Sequence, residues 1–116
     1  MPGILNEVPK SHRDLLLAPL TATLTTIDPK GRPQSTAVWY LVDGDGQLKG
    51  STTSDRQKYK NLKKNPKCDL FIIDPANPFR TLEIRAEAQL DADPDKETVR
   101  KFALAYGVDE SVLVSP

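Results

Sequence analysis

The stretch with most to offer chemistry is Gly50-Ser51-Thr52-Thr53-Ser54-Asp55-Arg56-Gln57-Lys58. A predicted strand over residues 47–53 ends in small hydroxyl side chains and turns straight into a predicted helix from Asp55 to about Asn65, with Ser54 as its cap. The first turn of a helix exposes unpaired N–H groups and the positive end of its dipole. Hydroxyls and those N–H groups suit a phosphate, with Arg56 adding a planar fork and Lys58 a point charge. Acids are the usual occupants of a helix's first turn, so cations there point to an external anion. The competing reading is that Ser54 only caps and the basic residues form a solvated face. Trp39 and Tyr40 are adjacent on a predicted strand and so face opposite ways, one to the core and one to a cleft or partner. Gln34, Ser35 and Thr36 precede them with groups able to hydrogen-bond a heterocycle. Phe79 and Arg80 follow Pro78 and either stack on a ligand or a neighbouring subunit or simply begin a strand.

Equally informative is the chemistry the chain lacks. It has one His and one Cys, which cannot assemble a His/Cys metal site or an internal disulfide within one chain. A Ser-His-Asp triad would have to use His12, which falls on a predicted surface helix. Cys68 begins a strand beside the core and reads as inert packing. The acids from Glu83 to Glu97 read as an exposed strand face and a helix cap. No side chain is assigned a catalytic role, and any reaction would rest on a borrowed cofactor.

The chain has 116 residues, enough for a single domain with a core of its own. The 16 basic and 16 acidic residues cancel, which argues against bulk nucleic acid as the main partner. No apolar run is long enough to span a bilayer, no signal peptide is evident, and the lone cysteine fits a reducing cytoplasm.

The elements that must position these residues can be read from periodicity. Residues 1–10 form an irregular arm, and Ser11 caps a short helix over Leu15–Leu17. Strands follow at 20–27 and 33–42, joined by an Asp28–Gly31 turn. Asp43-Gly44-Asp45-Gly46 makes a hairpin into the strand at 47–53. After the basic helix come an apolar strand at 67–74 and an alternating one at 79–91. Asp93-Pro94 then opens a helix with Val99, Phe102, Ala103 and Tyr106 on one face, ended by Gly107. The last residues, 108–116, look like the start of a further strand. Five strands and three short helices, with turns too short for parallel crossovers, argue for a mainly β, small antiparallel barrel with peripheral helices.

The order and spacing of Gly31-Arg32-Pro33, the Thr-Thr-x-x-Arg-x-Lys-x-x-Asn-Leu run from Thr52 to Leu62, and Asp74-Pro-x-x-Pro-Phe-Arg through Glu83 resemble the pyridoxamine 5′-phosphate oxidase-like split-barrel flavoproteins. Within these the chain looks most like the small proteins dependent on deazaflavin (coenzyme F-420). The resemblance spans residues 15 to 106. It implies a six-stranded antiparallel split β-barrel, FMN-binding-protein-like, that forms a homodimer with cofactor sites at the interface. It implies phosphate binding at Arg56 and Lys58, with Ser51, Thr52 and Thr53 lining the site. The strand with Thr36, Ala37, Val38 and Trp39 would lie against the cofactor ring, and Phe79 and Arg80 would reach the partner's site. The implied activity is hydride transfer between reduced coenzyme F-420 and a small unsaturated substrate. Two alternatives stay open: an FMN-binding flavoprotein or oxidase on the same fold, and a non-enzymatic small β-barrel binding module.

Overall fold

The computed structural model describes residues 3–109. Among them, six strands form two antiparallel sheets. The larger has the order β2-β1-β5-β6, from Pro33–Val38, Ala22–Ile27, Lys67–Asp74 and Asn77–Glu87. The smaller pairs β3 (Leu41–Val42) with β4 (Leu48–Lys49). Three helices flank them: α1 (Arg13–Leu17), α2 (Gln57–Lys64) and α3 (Glu97–Tyr106). The mainly β, antiparallel expectation holds. Among the described residues, however, the two sheets do not close into a barrel.

Alternation along the strands divides the large sheet into two faces. Ala22, Leu24 and Thr26 lie opposite Ile72, Leu70 and Cys68, and Leu82 and Ile84 extend the same inner face on β6. This face packs on Leu15, Leu16 and Tyr40 to form the core, in which Ile72 is wholly buried. Burying such a side chain is worth roughly 1.5–3 kcal/mol. The same register sends Thr23, Thr25, Asp69, Phe71 and Glu83 to the other face.

Several boundaries differ from the sequence reading. The arm is not irregular: Ile4–Glu7 forms a 3-10 turn, Val8 is buried in the core, and the Ile4 N–H donates to the Gly46 carbonyl at 3.0 Å. Gly3 is required at this contact, because a Cβ would lie 2.8 Å from the Gly46 oxygen. His12, not Ser11, occupies the N-cap of α1, and the Ser11 hydroxyl bonds instead to the His12 ring at 2.7 Å. The strand expected at 33–42 breaks at Trp39-Tyr40, where the chain leaves the large sheet for the small one. The strand expected at 47–53 pairs only at Leu48–Lys49, because its partner β3 is two residues long. The last strand ends at Glu87 rather than residue 91.

Both predicted turns form. The Gly31 and Gly46 N–H groups donate to the Asp28 and Asp43 carbonyls at 2.9 Å. Helix α3 begins at Glu97, not at Pro94. The Asp93 carboxylate still accepts from the Thr98 and Val99 N–H groups at 3.3 Å, so it caps from further upstream. Gly107 ends the helix at φ 67°, where a side chain would be strained. Most of the segment expected to begin a further strand lies outside the described residues. No helix among the described residues is long and apolar enough to cross a membrane.

Candidate functional site

Where β2 leaves the large sheet, a hollow of about 210 Å³ opens between the start of β1, the end of β2, the segment after β4, helix α2 and helix α3. Its walls are Thr21, Ala37, Val38, Trp39, Ser51, Lys58 and Phe102. The strand break produces this site. Tyr40 turns into the core, 2% exposed, with its hydroxyl donating to the Leu15 carbonyl at 2.6 Å. Trp39 must then face the other way, into the hollow, and its indole N–H donates to the Thr21 hydroxyl at 3.3 Å. The expected division of labour between these two aromatics is what the structure contains.

Helix α2 begins two residues later than expected. Ser54 makes no capping bond; the Arg56 N–H closes a turn onto the Thr53 carbonyl at 3.1 Å, and Arg56 itself sits at the N-cap. The nearby Thr53 hydroxyl, together with the Asp55 backbone N–H, holds the Asp55 carboxyl below its usual range. This local turn competes with the helix, as short hydroxyl and carboxylate side chains commonly do. The shift leaves Lys58 in the first helical turn, half-buried in the wall of the hollow. Burial, and secondarily the charge of Arg56, holds its ammonium below the normal lysine value. Lys58 makes no ion pair with any described residue. A half-desolvated cation beside a second cation is an environment that an anion would relieve.

On the inner side of the same helix, Asn61 is 1% exposed and its amide is fully engaged. It donates to the Thr26 hydroxyl at 3.0 Å and the Gln34 amide oxygen at 2.8 Å, and accepts from the Gln57 amide at 2.9 Å. This network locks α2 against β1 and β2 and thereby fixes the placement of Lys58. Two residues beyond Gln34, the buried hydroxyl of Thr36 has no hydrogen-bond partner among the described residues. Buried polar groups are normally paired; the Thr53 hydroxyl is the other buried one without a hydrogen-bond partner among the described residues, and Thr36 directly precedes Ala37 in the wall of the hollow.

The structure thus brings Ala37, Val38, Trp39, Ser51 and Lys58 together; Thr36 does not line the hollow but precedes Ala37 on β2. Thr52 and Thr53 do not line the hollow; the Thr52 hydroxyl donates to the Thr53 carbonyl at 3.3 Å. Arg56 stands exposed at the helix entrance. Phe79 and Arg80 lie elsewhere, on the β5–β6 hairpin. Phe79 is 94% exposed. The Arg80 guanidinium bonds to the Asp14 carboxylate, to Asp74 at 2.9 Å and to the Ser11 carbonyl, and these carboxylates raise its pKa further. Thr21 and Phe102 are wall residues that sequence reasoning missed. Thr21 read as ordinary strand alternation, and Phe102 carried only the core periodicity of α3. Cys68 is half-buried, with its thiol pushed up by burial, in keeping with packing. Asp69 and Glu83 meet on the outer face of the sheet, where burial and the neighbouring carboxylate push Asp69 up to about 6.

Known proteins show the same architecture. The pattern of the pyridoxamine 5′-phosphate oxidase family matches residues 8–111. A solved structure described as an F420 reductase is 37% identical, with a TM-score of 0.80 over 88% of this chain and 81% of that one. A conserved hypothetical protein from Mycobacterium tuberculosis is 25% identical, with a TM-score of 0.69 over 85% and 62% of the two chains. The heme storage protein HutZ from Vibrio cholerae, at 19% identity and a TM-score of 0.60 over 80% and 71%, shares the fold alone. No curated protein sequence gives a match. The chain belongs to the pyridoxamine 5′-phosphate oxidase family.

Proposed function

We propose that this protein binds deazaflavin coenzyme F-420 in the hollow beside Trp39 and acts as an oxidoreductase on a small unsaturated organic substrate. The observation that carries this reading is the pairing, in one cavity, of an indole wall with a half-buried lysine that no described carboxylate neutralises. The 37% identity to an F420 reductase supports the choice of cofactor. The residues present fit such a group. Lys58 and the neighbouring Arg56 hold its phosphate, with Ser51 alongside. The Trp39 edge of the hollow, with Ala37 and Val38, takes the planar ring, and the Thr36 hydroxyl has a free bond to offer. When bound, the coenzyme supplies the hydride; the chain's own residues orient the ring and exclude water from it.

The hollow is smaller than the roughly 300–1,000 Å³ of typical small-molecule sites. That size supports a homodimer in which a second copy completes each site, with the exposed Phe79 reaching across to the partner while Arg80, held by Asp14 and Asp74, fixes the hairpin that carries it. Parallel titrations of the purified protein with the deazaflavin coenzyme and with FMN, read by ligand fluorescence, test the proposal. Tight binding of the deazaflavin alone is the expected result. Preference for FMN would reassign the protein to flavin chemistry. Affinity for neither, with salt-sensitive binding to oligonucleotides, would point to a binding module.

A further inference from the structure

Trp39 is held from behind. Its ring stacks on Tyr106 of helix α3, with centroids 4.3 Å apart and planes 10° from parallel. Tyr106 is itself fixed at three points. Its hydroxyl lies 2.8 Å from both the Leu20 and Tyr40 carbonyl oxygens, which share its one proton, and it accepts from the Tyr40 N–H at 3.1 Å. These anchors grip the backbone where β2 breaks, so one side chain ties α3, the strand break and the indole together. Tyr106 does not line the hollow; it covers one surface of the indole while Trp39 presents another to the hollow. Phe102, one turn earlier on α3, reaches the hollow directly and stacks on Tyr106 at 6.1 Å.

We propose that Tyr106 is a positioning residue for the ligand ring: it sets the orientation of the Trp39 indole, so ring affinity depends on a side chain outside the hollow. The proposal rests on the cofactor reading above for its ligand, but the positioning itself can be read without one. Trp39 is the only tryptophan in the chain, so tryptophan emission reports this one contact.

The experiment compares the unsubstituted protein with Tyr106→Leu, Tyr106→Phe and Lys58→Ala. Two probes are titrated: the deazaflavin coenzyme and 5-deazariboflavin, which has the ring without the phosphate. Loss of the stack in Tyr106→Leu should lower the fluorescence anisotropy of unliganded Trp39 and weaken both probes by about three- to tenfold. Tyr106→Phe keeps the ring and should restore both probes to within about twofold, with the anisotropy of the parent. Lys58→Ala should weaken only the phosphate-bearing probe.

A folded Tyr106→Leu with parental anisotropy and affinities would overturn the proposal. So would a Tyr106→Phe as impaired as Tyr106→Leu, because the hydroxyl anchors rather than the stack would then be acting. If neither probe binds the unsubstituted protein, the cofactor reading fails by itself, and the anisotropy of the Leu and Phe variants still decides whether Tyr106 orients the indole. Should Tyr106→Leu not fold, Tyr106→His, with a smaller planar ring, takes its place and should show an intermediate loss.

Discussion

Two cationic regions of this molecule look alike in sequence and are opposite in structure. Arg80 lies against Asp14, Asp74 and a backbone carbonyl, and its carboxylate partners stabilise its charged form. Lys58 is half-buried beside Arg56, in no ion pair with a described residue, and its charged form is disfavoured. The first cation is satisfied by the fold; the second is left for something else to satisfy. The same contrast recurs in two threonines on the inner face of the large sheet, one buried and one half-buried. The Thr26 hydroxyl is bonded by Asn61, whereas the Thr36 hydroxyl is buried and unpartnered. Closed polar networks specify the scaffold, and open polar groups next to a cavity specify what the scaffold is for.

Substitutions can break or sharpen this contrast. The largest effect belongs to Lys58→Ala, which should weaken phosphate-bearing ligand binding by about 1.5–3 kcal/mol, measured by calorimetric titration, and leave the unfolding midpoint unchanged. Arg80→Ala should do the reverse: a lower midpoint in thermal unfolding, with a much smaller change in affinity. If Arg80→Ala proved the more damaging to binding, the contrast would collapse, because the Arg80 charge would then serve the ligand rather than the fold.

Thr26→Val comes next. It strips Asn61 of a buried acceptor and should cost about 1–2 kcal/mol in denaturant unfolding. Thr36→Val is the matched control, removing a hydroxyl that bonds nothing described. Stability should stay level or rise by up to about 1 kcal/mol, while ligand affinity falls a few-fold. Equal losses of stability in the two variants would mean that Thr36 is as structural as Thr26.

The smallest effect lies on the outer face of the sheet. Asp69 and Glu83 titrate as a pair, with Asp69 pushed up to about 6 from 3.8. A raised carboxyl pKa means that folding favours the protonated form. The associated stability is present below about pH 4 and is lost as pH rises through 6. Solvent screening keeps the amount to under about 1 kcal/mol. Asp69→Asn should therefore flatten the stability profile between pH 4 and 7, in urea unfolding followed across that range. An unchanged profile would show that the pair is fully screened.

Periodicity and turn chemistry carried much of the fold. The inner-face alternation of β5 and β6, the Asp28–Gly31 and Asp43–Gly46 turns, and the buried stripe of α3 ending at Gly107 are local properties, set by residues close along the chain. The basic helix and its uncommon cations were legible for the same reason. Three things were not. Helix α2 starts at Gln57, after a turn closed from the Arg56 N–H to the Thr53 carbonyl, and it is docked through Asn61 on Thr26 and Gln34, residues far from it in sequence. The cavity wall includes Thr21 and Phe102, which only chain folding brings near Lys58. Arg80 and Lys58 exchange apparent roles because ion pairing depends on carboxylates such as Asp14, which lies 66 residues away from Arg80 in sequence. Local preference names the elements and the kinds of side chain available for chemistry. Which polar groups are closed and which stay open depends on long-range contacts, because desolvation and charge pairing act through space and not along the chain.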